Sequence, residues 1–388
     1  MSEWTTIRLE SVVRTNTTSY SPKEGWKYVN YLDTGNITEN VIDAIHHIDL
    51  ANEKLPSRAK RKVQMNSILY STVRPNQKHF GIIKSMPKNF LVSTGFAVID
   101  VIPEKADADY LYFWLTQNTV VEQLHAIAEQ SVSAYPSIKA SDIENLEIAL
   151  PPLTVQKSIA SILKSISDKM SHNSSINENL EHQSLALFSN YYEQSNTEID
   201  FTDLIQVLGG GTPKTRESTY WNGNIPFFTP KDVGFPYTLA TEKTITEDGL
   251  LHCNSRLYPV NTVFVTARGT VGKVGIAGVP MAMNQSCYAL IGKGIHQLLV
   301  YFYTLKAIDR LKHKASGAVF DAIITKDFET EQVFKLSPND TDTFIRIVEP
   351  MYQSILNNSI EKQRLIALRD SLLPKLMSGE IEVSKLDI

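Results

Sequence analysis

Apolar residues recur in alternating steps of four and three along residues 156–191, the heptad pattern of a coiled coil. The stripe consists of Ile159, Leu163, Ile166, Met170, Asn173, Asn177, Leu180, Ser184, Leu187 and Tyr191. A single helix of this length, about 54 Å at ~1.5 Å per residue, would leave the stripe exposed, so the pattern predicts a helical partner. A less regular stripe between Ile345 and Leu372 is the candidate. The alternative is that each helix packs separately on its own domain.

Three asparagines, Asn173, Asn177 and Asn358, lie on or beside these two stripes. A polar residue at a coiled-coil seam lowers stability, but it also fixes the register of the paired helices. We therefore expect the asparagines to set the alignment of the two helices.

The chain repeats itself at an interval of about 185 residues. The matching segments are 173–176 with 357–360, 140–152 with 325–338, 70–74 with 265–268, and Leu9 with Leu204. A repeat of this length indicates a duplicated domain, since solenoid units are usually shorter than about 50 residues. Two domains and two helices in one chain suggest near-twofold internal symmetry, which duplex DNA shares.

Period-two alternation predicts strands at 67–73 and 96–101 in the first block, and at 262–266 and 287–291 in the second. Helices are expected near 107–129 and 297–314. Pro151 and Pro152 close the first block, and Thr154 is the expected N-cap of the next helix. The predicted fold class is α+β, with two globular α/β domains separated by two long antiparallel helices that form a coiled coil. The predicted parts are 1–152 (first domain), 153–195 (central helix), 196–338 (second domain) and 339–388 (C-terminal helix).

Length and composition are those of an ordinary globular protein. The 388 residues carry a net charge of −4 and are 42% hydrophobic, and no apolar run approaches the roughly 18 residues of a membrane span. Residues 1–10 lack the basic start and apolar run of a signal peptide, so we expect a cytoplasmic protein. Cys253 and Cys287 fit a reducing compartment and cannot form a zinc site alone; a disulfide between them is the less favoured alternative.

Basic residues are clustered despite the mildly acidic total. One cluster spans residues 54–62, a second 74–88, and a third 306–314 in the second block. Such clusters are often solvated surface, but their presence in both halves favours a shared anionic partner.

Catalytic motifs are missing from the sequence. Residues 268–274 contain the Gly-Lys pair of a P-loop, but Ala267 replaces its first glycine and Val274 its hydroxyl residue. Gly269, Gly272 and Gly275 do not have Rossmann spacing. No Phe-x-Gly-x-Gly segment for S-adenosylmethionine and no Asn-Pro-Pro-aromatic segment for base methylation are present. The sequence therefore predicts a binding protein without a cofactor or metal of its own.

Two helical segments carry a specific resemblance. Residues 150–160 (Leu-Pro-Pro-Leu-Thr-Val-Gln-Lys-Ser-Ile-Ala) and 367–381 (Ala-Leu-Arg-Asp-Ser-Leu-Leu-Pro-Lys-Leu-Met-Ser-Gly-Glu-Ile) resemble signatures of the specificity (S) subunits of Type I restriction–modification enzymes. The start of the second block is similar to the opening of that family's target recognition domains, through Gly211-Thr212-Pro213, Tyr220-Trp221, Gly223 and Ile225-Pro226-Phe227. The first block departs, since it lacks the Gly-Thr-Pro and Tyr-Trp pairs after Val13.

The resemblance implies a non-catalytic subunit whose two target recognition domains read the halves of a split, asymmetric DNA site with a fixed spacer. It implies that two modification subunits dock on the long helices and methylate adenine with S-adenosylmethionine. It also implies restriction subunits that use ATP and Mg²⁺ for translocation and cleavage. The cofactors are thus expected on partner subunits and none on this chain.

Candidate DNA contacts are basic or polar residues at turns rich in glycine and proline. They are Arg74 and Lys78 in the first block, and Lys214, Lys231, Arg268, Thr270 and Lys273 in the second. Arg74 and Arg268 are expected at matching places in the repeat. Two other classes stay open: a coiled-coil scaffold with two protein-binding domains, and a self-contained methyltransferase or nuclease, which the missing motifs disfavour.

Overall fold

The computed structural model describes residues 4–131, 135–234, 236–314 and 322–383. The chain divides into two compact units: residues 1–168 with 365–388 form unit 1, and residues 169–364 form unit 2. Two long helices, α4 (Leu153–Gln194) and α9 (Pro338–Met377), contribute residues to both units.

The elements of unit 1 before α4 are, in chain order, β1 (Thr5–Arg8), β2 (Val13–Thr15), β3 (Tyr28–Leu32), β4 (Ile37–Thr38), β5 (Val41–Ile42), β6 (His46–Asp49), β7 (Ala59–Arg61), β8 (Ile68–Ser71), β9 (Phe80–Ile82), β10 (Phe90–Ser93), β11 (Phe96–Val101), α1 (Ala108–Leu115), α2 (Asn118–Glu129), α3 (Ala140–Glu144) and β12 (Glu147–Leu150). They form an antiparallel sheet of order β2-β11-β8-β9 and a mixed sheet of order β6-β3-β10-β7. β1 pairs with β12, and β4 pairs with β5.

The elements of unit 2 between α4 and α9 are β13 (Glu198–Asp200), α5 (Phe201–Leu204), β14 (Ile205–Gly209), β15 (Trp221–Phe228), β16 (Tyr237–Thr238), β17 (Thr244–Ile245), α6 (Glu247–Leu251), β18 (Val263–Thr266), β19 (Val274–Ala277), β20 (Ala282–Met283), β21 (Cys287–Gly292), α7 (Gln297–Lys314), α8 (Thr325–Glu329) and β22 (Gln332–Phe334). The sheets have the orders β14-β21-β18-β19-β16 and β17-β15-β20, and β13 pairs with β22.

The central strands of both units are buried on both faces, which explains their nearly unbroken apolar sequence. In β11, Ala97 and Ile99 pack towards the helices, whereas Phe96 and Val98 pack towards the second sheet. β18 alternates in the same way, so that the core of each unit has three layers: helices, first sheet and second sheet.

The duplication predicted from sequence is visible in the strand pairing. The order β2-β11-β8-β9 of unit 1 matches β14-β21-β18-β19 of unit 2. Thr72 N donates to Gly95 O, and Ala267 N donates to Ser286 O in the same place. The predicted strands at 67–73, 96–101, 262–266 and 287–291 correspond to β8, β11, β18 and β21.

Three expectations about local structure were wrong. The helix expected at 107–129 is two helices, because Gln117 has extended backbone angles between α1 and α2. Thr154 lies inside α4, which begins one residue earlier, so it is not the N-cap. Leu9 matches Phe201 rather than Leu204, since Leu9 N donates to Leu146 O as Phe201 N donates to Glu331 O.

The two long helices contact each other through polar side chains within unit 2. Asn173 Nδ2 donates to Glu361 Oε2 at 2.7 Å, and Asn358 Nδ2 donates to Asn177 Oδ1 at 2.9 Å. The partners run in opposite order along α4 and α9, so the helices are antiparallel where these contacts form.

Helix α4 also carries a buried carboxylate, that of Glu181. Glu181 is fully buried and accepts hydrogen bonds from the hydroxyls of Tyr301 on α7, at 2.9 Å, and Tyr352 on α9. Burial raises the pKa of Glu181, and the two tyrosine hydrogen bonds oppose this only in part.

Because the folded state favours the protonated form, ionised Glu181 destabilises the fold as pH rises from its ordinary pKa of 4.5 through the raised value. We expect the free energy of unfolding of Glu181→Gln, relative to that of the wild type, to increase with pH across this window and to stay constant above it. Chemical denaturation from about pH 5 to about pH 8 measures the difference. Glu178→Gln, exposed on the same helix, is the control, and a pH-independent difference for Glu181→Gln would contradict the assignment.

Candidate nucleic-acid interface

The turn between β18 and β19 carries three of the predicted contact residues, all exposed: Arg268, Thr270 and Lys273. The turn is closed by Thr266, whose hydroxyl donates to Thr270 O and accepts from Lys273 N. Gly269 and Gly272 have φ angles of 84° and 73°, which favour glycine. A strand rather than a helix follows the Gly-Lys pair, so this segment lacks the architecture of a P-loop.

A second loop packs against this turn. Thr270 Oγ1 donates to Pro230 O at 3.2 Å, which brings Lys231 beside the Arg268 turn. The amine of Lys231 is 3.9 Å from Glu242, and its side chain is 82% exposed, so it stays available to a ligand.

The Gly-Thr-Pro segment forms a third loop of the same surface. A side chain at Gly210 or Gly211 would clash with the backbone of Asn284 or Asn254, so both glycines are required by close backbone approach. Thr212 donates to Gln285, and the next residue along, Ser286, accepts from Ala267 N. Lys214 is exposed on this loop, and its carbonyl accepts from Trp221 Nε1 at 3.2 Å.

The five candidates of unit 2 therefore lie on loops that contact one another in series. We call these segments, residues 210–217, 229–232, 267–273 and 284–286, the loop surface of unit 2. Hydrogen bonds from threonine hydroxyls and from the backbone join these segments, whereas their basic side chains are exposed to solvent. Such an arrangement holds the basic residues in place and leaves their charged groups accessible to a ligand, as a phosphate-contacting surface requires.

The two candidates of unit 1 lie on one turn but differ in availability. Arg74 is exposed, with its guanidinium 5.0 Å from the ring centroid of Tyr135. Lys78 forms an ion pair of 2.9 Å with Glu39, which satisfies its amine. Both residues have positive φ, 48° and 55°, in a tight turn. The geometry favours Arg74 over Lys78 as a DNA contact.

Arg74 and Arg268 do not occupy matching positions, contrary to the sequence expectation. Ile138 N donates to Thr72 O, and Ile323 N donates to Ala267 O, so Thr72 matches Ala267. Arg74 therefore matches Gly269, and the shared positive φ supports this alignment. Arg268 matches Val73 instead, so the two arginines lie one position apart on matching turns.

Part of the basic clustering is structural. In the third cluster, Arg310 and Lys314 form ion pairs of 2.9 Å and 2.5 Å with Glu331, which is fully buried. Lys312 belongs to the same cluster but was not among the predicted contacts, and its side chain lies against Gly272 of the loop surface. Lys243 was also missed: its amine lies 5.8 Å from the ring centroid of Trp221. The position of Lys243 depends on the pairing of its segment with β15, and the sequence pattern does not predict that pairing.

The described residues contain no group of three or more His, Cys, Asp or Glu side chains that could hold a metal ion. Cys253 and Cys287 are free thiols, and burial raises the pKa of Cys287 to about 12. No described helix is both long enough and apolar enough to cross a bilayer.

A family model described as the Type I restriction modification DNA specificity domain matches residues 1–182 and again residues 195–368. The HindI Type I restriction enzyme specificity subunit of Haemophilus influenzae is 23% identical over 463 residues, covering 98% of this chain and 100% of that protein. The EcoR124I/EcoR124II specificity subunit of Escherichia coli is 30% identical over 192 residues, covering 44% of this chain and 46% of that protein.

One solved structure supports the fold. The crystal structure of the Type-I restriction-modification system S subunit from M. genitalium superimposes with a TM-score of 0.63 at 16% sequence identity. The match covers 97% of this chain and 96% of that one.

Arg268 provides a test of the loop surface. If its side chain reads a base, Arg268→Ala should weaken binding of the target duplex by about 1–3 kcal/mol, because a bidentate contact is lost. A gel-shift series at fixed salt measures this. Arg346→Ala, which removes an exposed arginine from helix α9, should bind as the wild type does. Equal affinities for both variants would exclude Arg268 as a base contact.

Proposed function

Because the chain belongs to the family of Type I restriction–modification DNA specificity subunits, we propose that it selects a bipartite, asymmetric duplex site for partner subunits that methylate or cleave DNA. The observation that carries the proposal is the duplication: the family model matches twice, and four strands of the first sheet have the same order in both units while the loops differ. Equal scaffolds with unlike loops suit the reading of two unlike half-sites.

In this proposal residues 1–152 and 196–338 act as target recognition domains. Their loops enter the major groove, where each base pair presents a distinct pattern of donors and acceptors. Arg74 in the first domain and Lys214, Lys231, Arg268, Thr270 and Lys273 in the second contact phosphates or bases. Lys78 remains in the candidate set, with the Glu39 ion pair as a competitor for its amine.

The long helices, 153–195 and 339–388 in the predicted division, are proposed to pair as an antiparallel coiled coil that sets the spacer between the half-sites. The contacts of Asn173 and Asn177 with α9 support the pairing in unit 2. In unit 1, Ile159 and Leu163 of α4 share one apolar core with Leu376 of α9. Of the C-terminal segment, residues 384–388 lie outside the described residues.

Specificity subunits are not themselves enzymes, and they bind DNA and assemble with the other restriction–modification subunits. We propose that two modification subunits dock on the helices and carry S-adenosylmethionine, and that restriction subunits carry ATP and Mg²⁺. The chain then needs no cofactor of its own. Its place of action is the cytoplasm, where the host DNA is accessible.

Methylation assays test the proposal. We expect no methylation of duplex DNA by the chain alone, and adenine methylation at one split motif when the modification subunit is added. Methylation-aware sequencing of the host genome identifies that motif, and a strain lacking the chain should lose it. Methylation without the chain, or DNA binding that does not weaken with salt, would favour a scaffold protein instead.

The spacing role makes a separate prediction. Inserting one heptad after Asn177 and a matched heptad before Asn358 lengthens both helices by about 10 Å, at ~1.5 Å per residue. At ~3.4 Å per base pair, the methylated motif should keep both halves and gain about three base pairs of spacer. An insertion in α4 alone is the control, because it makes the two helices unequal in length and shifts their contacts out of register. An unchanged spacer with the paired insertion would contradict the role of the helices.

A further inference from the structure

A cleft of about 510 Å³ lies beside the second sheet of unit 1, away from the Arg74 turn. It is lined by His46 and His47 of strand β6, by Tyr31 and Asp33 at the end of β3, and by the segment that carries Lys54 and Arg58. None of these residues was among the contacts expected from sequence.

The basic side chains of the cleft are available to a ligand, whereas its acidic side chains accept hydrogen bonds from neighbouring residues. Lys54 and Arg58 are exposed, and no ion pair joins either one to a carboxylate in the described part of the chain. Asp33 Oδ1 accepts from Thr34 N at 2.8 Å and from the Tyr31 hydroxyl at 3.1 Å. Glu53 accepts from the amide of Asp49 at 3.3 Å.

The charge state of Asp33 follows from these contacts. Burial alone would raise its pKa, but hydrogen bonds from Thr34, Ser93 and Tyr31, together with the charge of Arg58, hold the pKa below its ordinary value. Asp33 is therefore an ionised carboxylate that these hydrogen bonds hold in place.

The rest of the basic cluster at 54–62 has a structural role. The Arg61 guanidinium donates to Asn16 Oδ1 and to Phe96 O, which ties strand β7 to the first sheet. Lys62 pairs with Glu24 and lies 5.2 Å from the ring centroid of Trp26. Lys54 and Arg58, in contrast, face the cleft.

His46 shares the Tyr31 face of the sheet with these donors, and His47, the next residue of the edge strand, turns its ring towards Asn30 and Tyr28. His46 Nε2 lies 3.2 Å from Asn36 Oδ1, and His47 Nδ1 lies 3.1 Å from Asn30 Oδ1. In the tautomer that directs the ring N–H at the amide oxygen, the second ring nitrogen is left as a hydrogen-bond acceptor. Arginine and lysine donors next to imidazole acceptors match the mixed pattern of base edges in a groove.

The corresponding edge strand of unit 2 also presents a basic residue. β3 pairs with β10 in parallel as β15 pairs with β20, and β6 and β17 are the corresponding edge strands. Tyr31 lies opposite His46, and Phe227 N donates to Lys243 O at the matching step, so His46 corresponds to Lys243. Lys243 is exposed beside Trp221 and follows Glu242, the partner of Lys231 on the loop surface.

We propose that the edge strand of the second sheet is a DNA-contacting element in both units, with His46, His47, Lys54 and Arg58 reading the half-site of unit 1 and Lys243 contacting that of unit 2. This inference rests on the proposed function and deepens it. It supplies unit 1 with a reading surface where the Gly-Thr-Pro and Tyr-Trp segments are missing.

The test uses the full chain assembled with its modification subunits. Three duplexes are compared at fixed salt: the methylated motif identified by sequencing, and versions with either half scrambled. Arg58→Ala and the double variant His46→Ala/His47→Ala should each weaken binding to the intact motif by about tenfold and reduce the penalty for scrambling one half. Lys243→Ala should reduce the penalty for scrambling the other half.

Lys23→Ala is the matched control, because Lys23 is exposed in unit 1 but does not line the cleft. Wild-type affinity and wild-type penalties for Arg58→Ala and the double histidine variant would overturn the inference. So would loss of subunit assembly with unchanged DNA affinity, which would make the cleft a protein-docking surface. A wild-type complex that binds all three duplexes equally would instead refute the proposed function.

Discussion

The polar contacts between helices α4 and α9 are the constraint on which the rest of the structure depends. An apolar stripe alone would let two antiparallel helices slide by a heptad at small cost. Asn173, which is buried, reaches Glu361, and Asn177 exchanges hydrogen bonds with Asn358 and Ser359, so a shift would leave amides unpaired. These contacts fix the alignment of the two helices within unit 2, and the spacer role proposed for the helices depends on that alignment.

Duplication provides the second constraint. Each unit has a first sheet buried on both faces, with a second sheet on one side and helices on the other, and four strands of the first sheet keep their order although the loops differ. The cleft of unit 1 and the Lys243 position of unit 2 lie at corresponding edges of the second sheets but carry different side chains. In the proposed function, a shared sheet scaffold thus presents different side chains to the two half-sites.

The sequence predicted what periodicity and local apolar runs encode. The extents of α4 and β11 followed from heptads and alternation, because burial on one or both faces leaves a regular pattern. The exact alignment of the two repeats could not be predicted from sequence. Leu9 matches Phe201 and Arg74 matches Gly269, and both matches are visible only from hydrogen bonds between backbone groups far apart in the chain. Likewise, Lys54 and Arg61 look alike in one basic run, yet Arg61 supports the fold and Lys54 faces a cleft.

A double-mutant cycle on Asn177 and Asn358 tests the central claim most directly, since these side chains bond to each other across the two helices. Each single change to leucine leaves a partner amide unsatisfied and should cost about 1–3 kcal/mol of unfolding free energy. The double variant should recover part of that loss, giving a coupling energy of about 0.5–3 kcal/mol. Additive losses, with no measurable coupling, would contradict a register fixed by this contact.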